Sequence, residues 1–157
     1  MVDLAEIQAA YYMVAATGVL VAAVYYILNL RSTIENRKAQ LLMEYNKIVS
    51  SKEWLIDLHE SLNYEWKDYK DFNEKYGHPN PEGHSRWISI ANSMECALML
   101  LRRNLVDEGM LKGYLGNMSI GLFWEKFSPA IKEMRAQYNN PQIFDLIEFY
   151  YNKWMKA

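Results

Sequence analysis

The sequence lacks most of the features that mark the common functional classes. It contains one cysteine, Cys96, so no disulfide can form within the chain, and this usage fits a reducing compartment. It contains no Cys-x-x-Cys, P-loop, Gly-x-Gly-x-x-Gly or Gly-x-Ser-x-Gly motif, so no signature of redox, nucleotide-binding or serine-hydrolase chemistry is present. With four prolines and seven glycines, it also shows no low-complexity segment and no internal repeat.

Charged side chains are absent from residues 7–30. As a helix rising about 1.5 Å per residue, this segment spans roughly 36 Å, enough to cross a hydrocarbon core of about 30 Å with some tilt. Tyrosine pairs lie near both ends, Tyr11-Tyr12 and Tyr25-Tyr26, as in the aromatic belts at membrane interfaces. The segment therefore predicts one transmembrane helix.

A cleaved signal peptide is the main alternative for this segment. Signal peptides begin with basic residues and carry a shorter apolar run before a small-residue cleavage site. Here the start is acidic, with Asp3 and Glu6, and the longer apolar run ends at Arg31. A buried helix of a soluble domain is the other alternative, but such helices rarely stay uncharged over this length. The pattern favours a retained membrane anchor.

The distribution of positive charge predicts the orientation. All 17 Lys and Arg follow the span, so the positive-inside rule places the N-terminus outside and residues 31–157 in the cytoplasm. Of the 19 acidic residues only Asp3 and Glu6 precede the span, which leaves the cytoplasmic part formally neutral. Because a neutral domain offers no broad basic surface, we expect no nucleic-acid partner.

Apolar residues after the span recur at helical spacing, without an alternating strand pattern, which predicts an all-α fold. The expected organisation is a short extracytoplasmic tail (1–6), a transmembrane helix (7–30), a helical stalk (31–49) and a cytoplasmic helical bundle (50–157). A capping-box pattern, Ser50-Ser51-Lys52-Glu53, predicts a helix start near Ser50. A short helix is expected from Asp68 to Tyr76, ending at Gly77, and residues 78–84 read as a Pro- and Gly-containing loop.

The most apolar helix of this domain is predicted from residue 86 to residue 104, and its central position would bury Cys96 as a small hydrophobe. Asp107 and Glu108 suit the start of the next helix. Pro129 is expected to kink or divide a later helix, and Asn140-Pro141 is expected to start the last one. The predicted buried face of the central helix contains Trp87, Ile90, Ala91, Met94, Ala97, Leu98 and Leu101.

Short motifs spread along nearly the whole chain point to a known family. They are Asn29-Leu30-Arg31, Asp68-Tyr69-Lys70-Asp71-Phe72, Glu74-Lys75-Tyr76-Gly77, Phe123-Trp124-Glu125-Lys126-Phe127 with Pro129, Arg135, and Asn140-Pro141. In these motifs the chain resembles an uncharacterised family of small prokaryotic membrane proteins, known as a domain of unknown function. The resemblance implies one N-terminal span followed by a cytoplasmic helical domain, and it implies no particular activity.

One loop carries side chains that can bind zinc, namely His78, Glu82 and His84. Their spacing differs from that of two histidines on adjacent turns of a helix, the usual arrangement for a shared metal ion. We therefore interpret the segment as a solvated loop and expect no metal and no cofactor. A metal-dependent enzyme that uses this loop is the third functional hypothesis.

Glu95 is a carboxylate within the apolar central helix, between Met94 and Cys96. If its face is buried, the carboxylate needs a partner. The candidates are Arg102, two turns further along the helix, and Arg135, which an antiparallel packing of helices would bring closer. We predict a buried Glu95–Arg135 pair, and the alternative is a polar pocket that holds a ligand.

Small residues line one face of the span, at Ala15, Gly18 and Ala22. Small side chains let two transmembrane helices approach closely, so we predict a helix–helix interface here. The leading functional hypothesis is a non-catalytic, membrane-tethered interaction module. Its partners are the lipid bilayer and other transmembrane helices, through self-assembly or as an accessory subunit of a larger membrane complex. The alternative is a ligand-sensing helical domain that signals through the stalk.

Overall fold

A computed structural model describes residues 3–156, apart from the side chains of residues 117 and 118. This part of the chain is all-helical, as the apolar spacing predicts. The helices are α1 (Leu4–Val49), α2 (Lys52–Leu62), α3 (Tyr69–Tyr76), α4 (Pro81–Arg102), α5 (Glu108–Leu115), α6 (Leu122–Gln137) and α7 (Asp145–Met155). A π-helical segment, Gly116–Gly121, joins α5 to α6. The chain divides into two compact units, Met1–Gln40 and Leu41–Ala157.

The first unit contains most of α1. Every described residue from Asp3 to Arg37 is exposed, including the whole uncharged stretch. Helix α1 is long and apolar enough to cross a membrane, and none of its most apolar window is buried. Exposure of this kind separates α1 from the core helix of a soluble protein, whose apolar face is covered.

The second unit is built around α4, which packs against α2, α3, α5 and α7. All seven residues of the predicted apolar face of α4 are buried, because their spacing keeps them on one stripe of the helix. Cys96 was expected in this core, but it is exposed. It lies two residues beyond Met94, about 200° around the helix, and so points away from the buried stripe.

Aromatic rings fill the centre of the second unit. Trp87 of α4 stacks on Phe127 of α6 with ring centroids 5.5 Å apart, and Phe72 of α3 meets both rings edge-on. The indole N–H of Trp87 donates a hydrogen bond of 2.8 Å to the carbonyl oxygen of Tyr76. These contacts fix α3 against α4 and α6, because each large ring buries area and the indole's polar group is satisfied.

Short polar side chains start several of the helices. Ser51, one residue after the predicted position, accepts the backbone N–H of Trp54 at 3.2 Å and caps α2. Asp68 caps α3 and Asp107 caps α5 in the same way. Gly77 ends α3, where a Cβ atom would lie 2.5 Å from the carbonyl oxygen of Asn73, so the site requires glycine.

Pro129 does not divide its helix, since α6 runs from Leu122 to Gln137 without a break. Proline removes one N–H and leaves the carbonyl four residues earlier, that of Glu125, without its helical partner. Both Pro129 and Glu125 are exposed, so solvent can satisfy that carbonyl. The predicted division occurs earlier, at the π-helical segment Gly116–Gly121.

The last helix begins later than Asn140-Pro141. The Asn140 side chain accepts the backbone N–H of Gln142 at 3.0 Å and forms a local turn instead of a helix cap. Phe144 then adopts a left-handed conformation, with φ 54° and ψ 38°, and α7 starts at Asp145. Burial of the Phe144 ring in the core offsets the cost of this conformation.

Candidate functional site

The uncharged part of α1 presents its side chains to the surroundings. The predicted interface residues Ala15, Gly18 and Ala22 all lie on this exposed helix. A Cβ atom added at Gly18 would meet nothing within 4 Å, so a larger side chain is accommodated within this chain. The use of this face as a helix–helix interface stays a prediction.

Glu95 holds the first turn of α7 from the side of α4. Its two carboxylate oxygens each accept one backbone N–H, from Leu146 and from Ile147, both at 3.2 Å. The residue at the N-cap of α7, Phe144, forms no side-chain capping bond. Glu95 instead satisfies two of the N–H groups that a helix start leaves without partners. A residue about fifty positions earlier in the chain thus does the work of a local cap, and the helix dipole favours its negative charge there.

Two opposing effects act on the pKa of Glu95. Burial penalises the charged form and is the larger effect, whereas the N–H groups of Leu146 and Ile147 favour it. The neighbouring carboxylate of Asp145 acts in the same direction as burial. The net effect raises the pKa of Glu95 to about 7, so its carboxyl group changes from protonated to ionised near neutral pH.

A cavity of about 540 Å³ opens beside this contact. The predicted candidate Arg102 lies on its wall, and charged groups of both signs face the opening. The cavity is lined by Glu95, Met99, Arg102, Arg103, Gln142, Asp145 and Leu146. This lining is polar, as the alternative interpretation of Glu95 requires, and the binding of a ligand there stays a prediction.

Arg135 has other partners than the one predicted. Its guanidinium forms an ion pair with Glu148 of α7 and donates a 2.8 Å hydrogen bond from Nε to the carbonyl oxygen of Ile143. It also lies over the ring of Trp124, 5.6 Å from the centroid. The predicted Glu95–Arg135 pair is therefore wrong: both side chains secure the start of α7, but each binds a different part of it.

The predicted loop of residues 78–84 is partly helical, because α4 already begins at Pro81. The imidazole rings of His78 and His84 lie 4.5 Å apart, centroid to centroid. Glu82 is held elsewhere, since its carboxylate accepts a 2.8 Å hydrogen bond from Arg86, one turn further along α4. Of the three candidates from the sequence, the structure thus brings the two histidines together and separates the carboxylate from them.

Arg86 is the ion-pair partner of Glu82, and the sequence analysis did not single it out. Its guanidinium contacts Glu60 and lies 4.0 Å from Asp57, both on α2, in addition to its bond with Glu82. The Glu82–Arg86 spacing of four residues is a recognisable helical pair and was a usable signal. Its contacts with α2 depend on how two helices pack, and no local pattern indicates them.

Within residues 3–156 no group of three or more His, Cys, Asp or Glu side chains is placed to hold a metal ion. Residues 12–154 match the model of a family described as a domain of unknown function (DUF4760). No curated protein and no solved structure matches the chain.

Proposed function

This chain belongs to the DUF4760 family of unknown function, and we propose that it is a membrane-tethered, non-catalytic interaction module. In this proposal residues 7–30 of α1 cross the bilayer, the N-terminus lies outside, and the helical domain lies in the cytoplasm. The module works through helix contacts, by self-assembly or as an accessory subunit of a larger membrane complex.

The exposed apolar surface of α1 carries the proposal. An uncharged helical surface of this length is costly in water, because apolar area contributes roughly 25 cal/mol per Å² when it leaves water. Large side chains along it stay exposed: Val14, Leu20 and Tyr25, for example, are 67–73% exposed. A bilayer, or other apolar helices within it, provides the environment that this surface needs.

Membrane extraction and intact mass test the tether. If α1 is an anchor, the protein stays in the membrane pellet after alkaline carbonate washing, and its mass includes the N-terminal segment. A mature protein that starts after residue 30, or one released by carbonate, would show that α1 is a cleaved signal sequence or a peripheral helix.

Crosslinking in native membranes tests the interaction face. Gly18→Leu should reduce lateral crosslinking, because a branched side chain prevents close approach of helices, an effect of about 1–2 kcal/mol. Ala16→Leu is the matched control, since it adds similar bulk about 160° away around the helix. If both variants crosslink like the wild type, Ala15, Gly18 and Ala22 are not the interface.

A further inference from the structure

We propose that His78 and His84 form a binding site for a divalent transition-metal ion of the Zn²⁺ or Ni²⁺ class. The site would lie in the helical domain and is independent of the proposed membrane function. Imidazole nitrogen is a preferred ligand of these ions. Solvent would complete the coordination of an ion held by two histidines.

The separation of the two rings suits a shared ion. A metal about 2.0–2.1 Å from each ligating nitrogen holds two imidazole centroids roughly 4.5–5.2 Å apart when the angle between the ligands is about 90–110°. The rings of His78 and His84 are 4.5 Å apart with their planes tilted by 39°. His78 is exposed, so its ring is free to turn toward an ion next to His84.

His84 has a polar atom without a partner. Its Nδ1 atom is buried and forms no hydrogen bond within the described part of the chain. Burial, and next the neighbouring imidazole of His78, lower the pKa of His84, while the backbone of Tyr76 acts in the opposite direction. A lowered pKa favours the neutral form of the ring, which is the form that binds a metal ion. A coordinated cation would satisfy the nitrogen that now has no partner.

The backbone between the two histidines is held in place. The Asn80 side chain accepts the N–H of Gly83 at 3.2 Å and donates to the carbonyl oxygen of Lys75 at 2.7 Å. The ring of His84 also packs edge-on against Trp87, with centroids 5.7 Å apart. A site on a fixed turn and a helix start loses less conformational freedom when it binds a ligand than one on a mobile loop.

Isothermal titration of the full chain in detergent tests the site, with ZnCl₂ and NiCl₂ as the probes. The protein must be purified without a histidine tag. The wild type is expected to bind one equivalent, and His78→Ala and His84→Ala are each expected to weaken binding by at least about tenfold. The chain has one further histidine, His59, which is exposed, so His59→Ala is the matched control and should bind like the wild type. Cys96→Ser controls for binding by the exposed thiol.

Circular dichroism of each variant separates loss of the site from loss of the fold. His78 is exposed, so its substitution leaves the core intact and decides the question even if His84→Ala fails to fold. A wild type that takes up no metal overturns the proposal. So does unchanged affinity in folded His78→Ala, or an equal loss in His59→Ala or Cys96→Ser.

Discussion

At the scale of single residues, the start of α7 depends on two side chains from other helices. Glu95 of α4 accepts the N–H groups of Leu146 and Ile147, and Arg135 of α6 binds Glu148 and the Ile143 carbonyl. Both contacts compensate for the absence of a local cap at Phe144. Glu95 and Arg135, predicted from the sequence to pair with each other, therefore each bind a different part of α7.

The free energy of unfolding of the wild type should depend on pH through Glu95. The pKa of Glu95 is about 7 in the folded protein against an ordinary value of 4.5, so the folded state holds this proton more tightly than the unfolded state. The resulting stabilisation is complete below about pH 4.5 and is lost as the pH rises through 7. Allowing for partial solvent screening, the loss is about 2 kcal/mol. Denaturant melts at pH 5 and pH 8 measure it.

In Glu95→Gln this part of the pH dependence should disappear, because the amide does not ionise. Gln keeps one acceptor oxygen for α7, so the variant should fold. Glu44→Gln is the control, since Glu44 is exposed and its substitution should leave the wild-type pH profile unchanged. If the free energy of unfolding varies with pH in the same way in the wild type and in Glu95→Gln, folding does not raise the pKa of Glu95.

A double-mutant cycle should locate the partner of Arg135. The Arg135 side chain is 15% exposed and its ion pair with Glu148 lies between α6 and α7. Combining Arg135→Met with Glu148→Gln should give a coupling energy of roughly 0.5–3 kcal/mol in urea unfolding, as is typical of residues in contact. The cycle of Arg135→Met with Glu95→Gln should give a smaller value. The opposite ranking would restore the pairing inferred from sequence.

At the scale of elements, helix starts follow short local signals, although the signal does not always identify the residue that acts. The capping-box pattern predicted a start near Ser50, and the residue that caps α2 is Ser51. The hydroxyl of Ser50 instead bonds the Asn46 side chain at the end of α1, 2.9 Å away. Two adjacent serines thus have different roles at one junction.

Ser51→Ala should therefore destabilise the helical domain by about 1 kcal/mol, the usual cost of removing an N-cap side chain. Ser50→Ala is a closely matched comparison, because its bond is exposed and should contribute little. Thermal unfolding of both variants measures the difference. Equal destabilisation would mean that the two hydroxyls share the cap.

Proline and asparagine signals were less reliable for the elements near the C-terminus. Pro129 lies inside α6 because its face is exposed, and Asn140-Pro141 forms a turn because the buried Phe144 redirects the chain before α7. A local preference costs at most a few kcal/mol, so core packing can override it. Residue patterns alone do not reveal when that happens.

At the scale of the whole molecule, the sequence divides into an apolar helical segment and a helical part, residues 31–157, that is formally neutral. The match to the DUF4760 family covers both, from residue 12 to residue 154. A family that includes the apolar segment in its domain is consistent with a function that needs it. Under the proposed membrane anchoring, orientation across the membrane is the property that most constrains possible partners.

Cysteine labelling should establish that orientation. The native Cys96 is exposed, so a membrane-impermeant maleimide should label it only after cells are lysed. In a Cys96→Ser background, Ala5→Cys should be labelled on intact cells, because the positive-inside rule places this end outside. Labelling of Cys96 on intact cells would reverse the predicted topology.

The helical class, the long apolar helix and the buried face of α4 could all be predicted from the sequence alone. Each depends on the spacing of residues within one helix. Because a helix has 3.6 residues per turn, that spacing alone fixes which side chains lie on the same face. The end of α3 at Gly77 and the caps at Asp68 and Asp107 are also local, since capping bonds span about three residues.

Which polar groups meet depends on how the helices pack in the folded domain. Glu95 with the start of α7, Arg135 with Glu148, and Arg86 with α2 each join separate helices. Even His78 and His84, close in sequence, are brought within 4.5 Å by a turn that starts α4 three residues before the second histidine. Contacts between helices depend on crossing angle and core packing, which are properties of the whole domain and are not encoded in any single stretch of residues.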